Sequence, residues 1–224
     1  AQLPAHHWEV RCPGCSSDAA PEPTGEEKRL FPTSVYAVSK RDQEELCLSV
    51  GRSYRLPTVA LRYFNVYGPR QSLSNPYTGV CAIFSSRIKN HKSPIVYEDG
   101  GQTRDFVHVR DIVQANLLAM QDARTDYEVF NVGSGRAVSI GRIAQLLAQL
   151  YEAPLQPQMT QAFRAGDIRH CVADISKIRR LGFQPTVTLE AGLRELVAGG
   201  RVAGAEDRME EAAGELKARG LTHP

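Results

Sequence analysis

The stretch TSVYAVSKRDQEELCLSVGRSYRLPTVALRYF, residues 33–64, reads as a helix that runs straight into an apolar strand. Thr33 or Ser34 offers a hydroxyl to the first free N–H groups of a helix continuing to about Tyr54, with Val35, Val38, Leu46 and Val50 among its apolar positions. Pro57 stops it, since proline has no N–H to donate and its ring blocks the preceding turn. The run from Thr58 to Phe64 is short and mostly apolar, which suits a buried strand. Parallel strands need helical crossovers, so a helix delivering directly into such a strand marks the late part of a doubly wound α/β sheet.

Working outward, helical spacing covers Val80 to Lys89, Asp111 to Gln121, Ser139 to Tyr151, Ile175 to Leu181 and Leu189 to Val197. Short strands fit Ile95 to Tyr97, Phe106 to Val109 and Glu128 to Val132. This alternation is α/β. Residues 1–31 carry Pro4, Pro13, Pro21 and Pro23 without periodicity and read as an irregular insertion or linker. Past Gly199 the composition changes, and residues 200–224 read as a terminal appendage whose helix sets Met209, Ala213 and Leu216 on one face and ends at Gly220. The division is therefore 1–31, 32–199 and 200–224.

An apolar content of 42% in 224 residues is enough for a real core. The formal charge of +2 does not point to nucleic acid, and any functional arginines should act locally on a phosphate. No apolar run approaches membrane-spanning length, so a soluble, cytoplasmic protein without a membrane partner is expected. The five cysteines are odd in number, and Cys47, Cys81 and Cys171 are scattered, against a disulfide framework and for a reducing compartment. Cys12-Pro13-Gly14-Cys15 has the shape of a zinc knuckle, with His6 and His7 as extra ligands. Three readings stay open for Cys12 and Cys15: a complete zinc site, a half-site completed by sequence not present here, and a reduced loop without metal. The last is adopted.

Tyr36 and Lys40 lie at i and i+4 on one helix face, so a phenol and an ammonium converge. A phenol working as a general base near neutrality must lose about three pKa units, roughly 4 kcal/mol. A lysine and a second cation, such as an oxidised nicotinamide ring, can together supply that. The pair alone recurs by chance on solvated faces, but ordered motifs follow it. They are Leu61-Arg62-Tyr63-Phe64-Asn65-Val66-Tyr67-Gly68-Pro69-Arg70, then Gly101-Gln102-Thr103-Arg104-Asp105-Phe106-Val107-His108, then Phe130-Asn131-Val132-Gly133, then Arg164-Ala165-Gly166-Asp167.

In this order the motifs resemble the extended short-chain dehydrogenase/reductase superfamily, specifically the NAD-dependent nucleotide-sugar epimerases and dehydratases, over roughly Pro32 to Gly199. The resemblance implies the C-terminal part of a Rossmann-type parallel sheet plus a small α/β substrate-binding domain, NAD as cofactor and a nucleotide-diphosphate sugar as substrate. It implies that Tyr36 takes the C4 hydroxyl proton while hydride passes to NAD, that Lys40 holds the nicotinamide ribose, and that the 4-keto sugar takes the hydride back on its other face. Asn65 matches a diphosphate contact, Arg104 a diphosphate clamp, Arg164 a second phosphate or ribose contact, Tyr97 an aromatic contact to the base, and Asn131 a residue facing the nucleotide or a strand-end turn. His108 is read as structural. Cys171 stands where several relatives have an aromatic residue. The Tyr36 helix implies a homodimer.

Gly68-Pro69-Arg70-Gln71, Asn75-Pro76-Tyr77-Thr78-Gly79-Val80, Glu98-Asp99-Gly100 and the cysteine-bearing insertion are most similar to the branch interconverting dTDP-L-rhamnose and dTDP-6-deoxy-L-talose. A 4,6-dehydratase or decarboxylase of the same fold, and a non-catalytic nucleotide-sugar-binding fragment, remain alternatives. A glycine-rich pyrophosphate turn is not found: Gly133-Ser134-Gly135 follows a strand, but Val138 replaces the third glycine, and an ordinary turn is expected. In the resembled family that turn lies well upstream of the tyrosine. The chain is therefore expected to be the C-terminal portion of a longer enzyme, binding cofactor weakly or not at all by itself.

Overall fold

The computed structural model describes residues 5–74, 79–164, 166–202 and 204–223. Helix α1 (Val35–Tyr54) starts where Ser34 accepts the Ala37 N–H on its hydroxyl at 3.1 Å, and ends at Arg55 in a left-handed conformation. It feeds β1 (Ala60–Tyr63), which pairs in parallel with a strand nearly 70 residues later, Ala60 opposite Val129 and Tyr63 opposite Val132. Arg62 locks the two elements together by a bidentate pair with Glu44 at 2.7 and 2.6 Å. That hydrogen-bonded carboxylate holds the guanidinium pKa above its ordinary value against the opposing effect of burial.

At Phe64 the chain changes sheet. Strand β2 (Asn65–Tyr67) leaves β1's partner and pairs in parallel with β4. Between them come α2 (Val80–Lys89), with the bounds the periodicity predicts, and β3 (Ile95–Val96); β4 itself is Thr103–His108. Next are α3 (Val109–Gln121), β5 (Val129–Val132), which is β1's partner, β6 (Ala137–Ser139) and α4 (Ile140–Leu150). Three two-residue strands follow, β7 (Gln158–Met159), β8 (Phe163–Arg164) and β9 (His170–Cys171), then α5 (Ser176–Arg179), α6 (Leu189–Val202), α7 (Met209–Ala218) and β10 (Thr222–His223). Helix α6 runs beyond the predicted end at Val197 and through Gly199 and Gly200, where Lys89 donates to the Gly200 carbonyl.

Strand β4 is the spine of the substrate side, bonded to β2 in parallel, to β6 antiparallel and to β9 in parallel. Its alternating side chains serve two cores. Phe106 joins Tyr67, Phe84, Ile143, Leu147 and Leu193 under α2, α4 and α6. Val107, one residue on, joins Ile112, Phe130, Val132, Ile178 and Phe183 on the other face.

Residues 5–31 are tied down by aromatic and polar contacts. Trp8 is buried against Phe163, with ring centroids 6.2 Å apart. Arg169 gathers Glu9, Glu98 and Asp99 around one guanidinium, each at 2.7 Å. Burial would raise the Glu9 and Asp99 pKa values, but hydrogen bonds from Arg169, and from His170 to Glu9, outweigh it and hold both below the ordinary carboxylate range.

Candidate functional site

The alternation along β4 sets the site. Arg104 points one way, into a cavity of about 380 Å³, and Asp105 points the other, into the body of the protein. Asn65 enters the cavity from neighbouring β2, Tyr97 from just beyond β3, and Arg164 from β8. The volume falls in the range of small-ligand pockets. Four of the five expected substrate-binding residues therefore meet in one place, though they are spread over 100 positions of sequence.

Arg104 is the electrostatic centre of the cavity. Its Nη1 donates to the carbonyls of Thr103 at 2.8 Å and Arg169 at 3.0 Å, and among the described residues no carboxylate pairs with it. Burial pushes its pKa down, against the opposing pull of Cys171 and of the Asp167 and Glu98 carboxylates nearby. Arg164 lies over the Tyr97 ring at 5.4 Å and pairs with Asp167 at 2.9 Å. A half-buried guanidinium that no carboxylate bonds directly among the described residues, with a second guanidinium lining the same cavity, favours a ligand that carries more than one negative charge. Gln102 helps to fix the wall: its amide donates to the Tyr97 carbonyl at 3.0 Å, and its own Oε1 is buried without a partner.

Tyr36 and Lys40 stand outside this cavity on the exposed face of α1, Lys40 Nζ 5.6 Å from the Tyr36 ring centre and hydrogen-bonded to Gln43 at 3.3 Å. A pyrophosphate cradle is not offered by Gly133-Ser134-Gly135. The Ser134 and Gly135 N–H groups donate to the Asp105 carboxylate at 2.7 and 2.9 Å, and β6 rather than a helix follows. A side chain at Gly133 would collide with that carboxylate.

Asn131 is a correction. It is 2% exposed and its amide donates to the carbonyls of Thr24 at 2.9 Å and Asp174 at 3.4 Å, while its N–H donates to Glu26. It fastens the N-terminal segment to β5 instead of facing the cavity. Nor do the histidines join the cysteines: His7 binds Asp18 at 2.9 Å and His6 stacks on Trp8. Among the described residues no three His, Cys, Asp or Glu side chains group in a way that could hold a metal. The Cys12–Cys15 loop closes as a small hairpin, Cys12 N–H to Ser17 and Ser16 N–H to Cys12. Cys171 sits opposite Arg104 in the β4–β9 register, its thiol pKa raised by burial. His108 caps α3, accepting the Arg110 N–H on Nδ1, and burial lowers its pKa. Residues 75–78 of the substrate-branch motif lie outside the described residues. No helix among the described residues is long and apolar enough to cross a membrane.

The sequence reading missed one whole wall. Glu206, Asp207, Arg208 and the α7 residues Met209, Ala212, Ala213 and Leu216 line the same cavity as Asn65 and Arg104. The 3-4 spacing of that apolar face is readable; its partner is not.

Compared with known proteins, residues 14–133 match the model of the NAD dependent epimerase/dehydratase family, a span containing Tyr36, Lys40, Asn65, Tyr97 and Arg104. The chain is 39% identical over 197 residues to a dTDP-L-rhamnose 4-epimerase of Burkholderia thailandensis, covering 88% of this chain and 53% of that protein. The fold is similar to the crystal structure of a UDP-glucose 4-epimerase with UDP-glucose from Thermotoga maritima, with TM-score 0.74, 37% identity, and 82% and 59% of the two chains covered. It is also similar to a Thermus thermophilus UDP-glucose 4-epimerase complex with NAD, with TM-score 0.72, 30% identity, and 88% and 61% covered. The chain thus spans a little over half the length of the proteins it matches.

Proposed function

This chain belongs to the NAD dependent epimerase/dehydratase family, and from that premise we propose that the protein is a nucleotide-sugar 4-epimerase. The substrate pair we assign is dTDP-L-rhamnose and dTDP-6-deoxy-L-talose, supported by the similarity to the Burkholderia enzyme. The observation that carries the reading is the meeting of Arg104, Arg164, Asn65 and Tyr97 around one cavity, with no carboxylate hydrogen-bonded to Arg104 among the described residues. Two guanidinium groups clamp the diphosphate, Asn65 orients it, and the sugar extends towards Tyr36. There the Tyr36 phenolate takes the C4 hydroxyl proton, becoming the phenol, and later returns it, and Lys40 holds the ribose edge beside it. NAD, when bound, supplies the hydride acceptor that makes inversion at C4 possible.

Calorimetric titration with dTDP tests the cavity. Arg104→Ala is expected to weaken binding by about 2–3 kcal/mol, roughly 30–150-fold, because charge-assisted hydrogen bonds to the diphosphate are lost. Equal affinity in a folded Arg104→Ala chain would remove the clamp. A second copy pairing through α1 is part of the same reading, since Val35, Leu46, Val50 and Tyr54 are exposed on that helix. Sedimentation should find a dimer, and a monomer at all concentrations would sink that element.

A further inference from the structure

The last segment of the chain crosses the cavity and is pinned at both ends. At its start Asp207 pairs with Arg87 at 3.2 Å, both side chains under a tenth exposed. Ser86 and Asn90 donate to the carbonyls of Glu206 at 3.1 Å and Ala205 at 2.9 Å, and the Glu206 N–H donates to Ser74. At its end β10 pairs antiparallel with β8, setting Thr222 opposite Arg164. Between the pins α7 buries none of its own residues fully. Its half-buried positions Met209, Ala212, Ala213 and Leu216, spaced i, i+3, i+4 and i+7, face the cavity, while Glu210, Glu211, Gly214 and Glu215 face water. An apolar helix face with two alanines at its middle lines the cavity, and side chains that small leave room beside it for a flat ring. Tyr36 is not among the cavity's lining residues, so on the proposed function the sugar lies outside and the nucleoside lies within.

We propose that α7 is the wall against which the pyrimidine ring of the nucleotide lies, with Ala212 and Ala213 as the positions that determine which base is accepted. This rests on the nucleotide-sugar reading of the cavity and deepens it. The polar wall holds the diphosphate and the helix holds the base, so the two can be separated by probe.

Titrate the 224-residue chain with dTDP, UDP and inorganic pyrophosphate. Ala213→Trp fills the ring's place and is expected to weaken dTDP and UDP at least tenfold while leaving pyrophosphate unchanged; Arg104→Ala should weaken all three. A folded Ala213→Trp chain that binds dTDP like the parent, with Arg104→Ala still impaired, overturns the α7 wall alone. Loss of neither overturns the cavity reading and the wall with it. A second measurement needs no variant: saturating dTDP should slow tryptic cutting after Arg208, Lys217 and Arg219 several-fold, and pyrophosphate should not. Equal cutting rates with dTDP and with pyrophosphate would also overturn the proposal.

Discussion

Replacing Tyr36 by phenylalanine in the whole protein is expected to cut turnover by about 10²–10⁴-fold with little change in KM. The expectation is chemical, because the structural cost is small. Tyr36 is 71% exposed and its hydroxyl makes no hydrogen bond among the described residues, so removing one oxygen orphans no buried group. The ring that faces Lys40 at 5.6 Å is kept. On the proposed mechanism, what disappears is the proton acceptor for the C4 hydroxyl. Interconversion of the two sugar nucleotides, followed by anomeric proton signals, measures it directly. A Tyr36→Phe protein that turns over within twofold of the parent would remove Tyr36 as general base.

The largest stability effect is expected at Asp105. Its carboxylate is fully buried and accepts from the Ser134 N–H and hydroxyl at 2.7 Å, the Gly135 N–H at 2.9 Å and the Ala173 N–H at 3.2 Å. Asp105→Ala leaves three N–H groups and a hydroxyl facing a small void. Each buried unsatisfied donor costs about 1–3 kcal/mol, so a loss of roughly 3–5 kcal/mol is expected after partial relaxation. That is a large part of an ordinary domain's 5–15 kcal/mol. Asp105→Asn keeps the shape but turns an N–H donor towards N–H donors, and about 1–2 kcal/mol is expected. Urea denaturation reads both; an Ala variant within 1 kcal/mol of the parent would show that the turn does not depend on this carboxylate.

Asp105 also shows what the sequence could and could not tell. That its neighbour Arg104 would meet Asn65, Tyr97 and Arg164 at one cavity was legible because each sits in a motif of the resembled family. The role of Asp105 was not, because its partners at 134, 135 and 173 are brought to it only by the β4–β6 and β4–β9 pairings. The helices were legible throughout: α2 was expected at Val80 to Lys89 and found there, and Ser34 caps α1 as its hydroxyl allows. Strands β7, β8, β9 and β10 were not, since two residues carry no period. Asn131 was misjudged for a related reason. Nothing near it in sequence announces that Thr24 and Glu26 will lie across β5. The α7 wall was missed likewise: an amphipathic face tells that something is covered, and only the closing of Asp207 onto Arg87 tells what.

The Arg169 cluster has a consequence in time as well as in energy. Glu9 and Arg169 are 160 positions apart, and closing a loop of that length costs on the order of 4–5 kcal/mol of chain entropy before the contact returns anything. Arg169 is half of that contact, and its other carboxylates, Glu98 and Asp99, arrive with the β3–β4 region. The N-terminal segment docks only on residues remote from it in sequence, Asn131 on β5 and Arg169 beside β9, and is expected to be ordered after both, as a clasp shut across the two sheets.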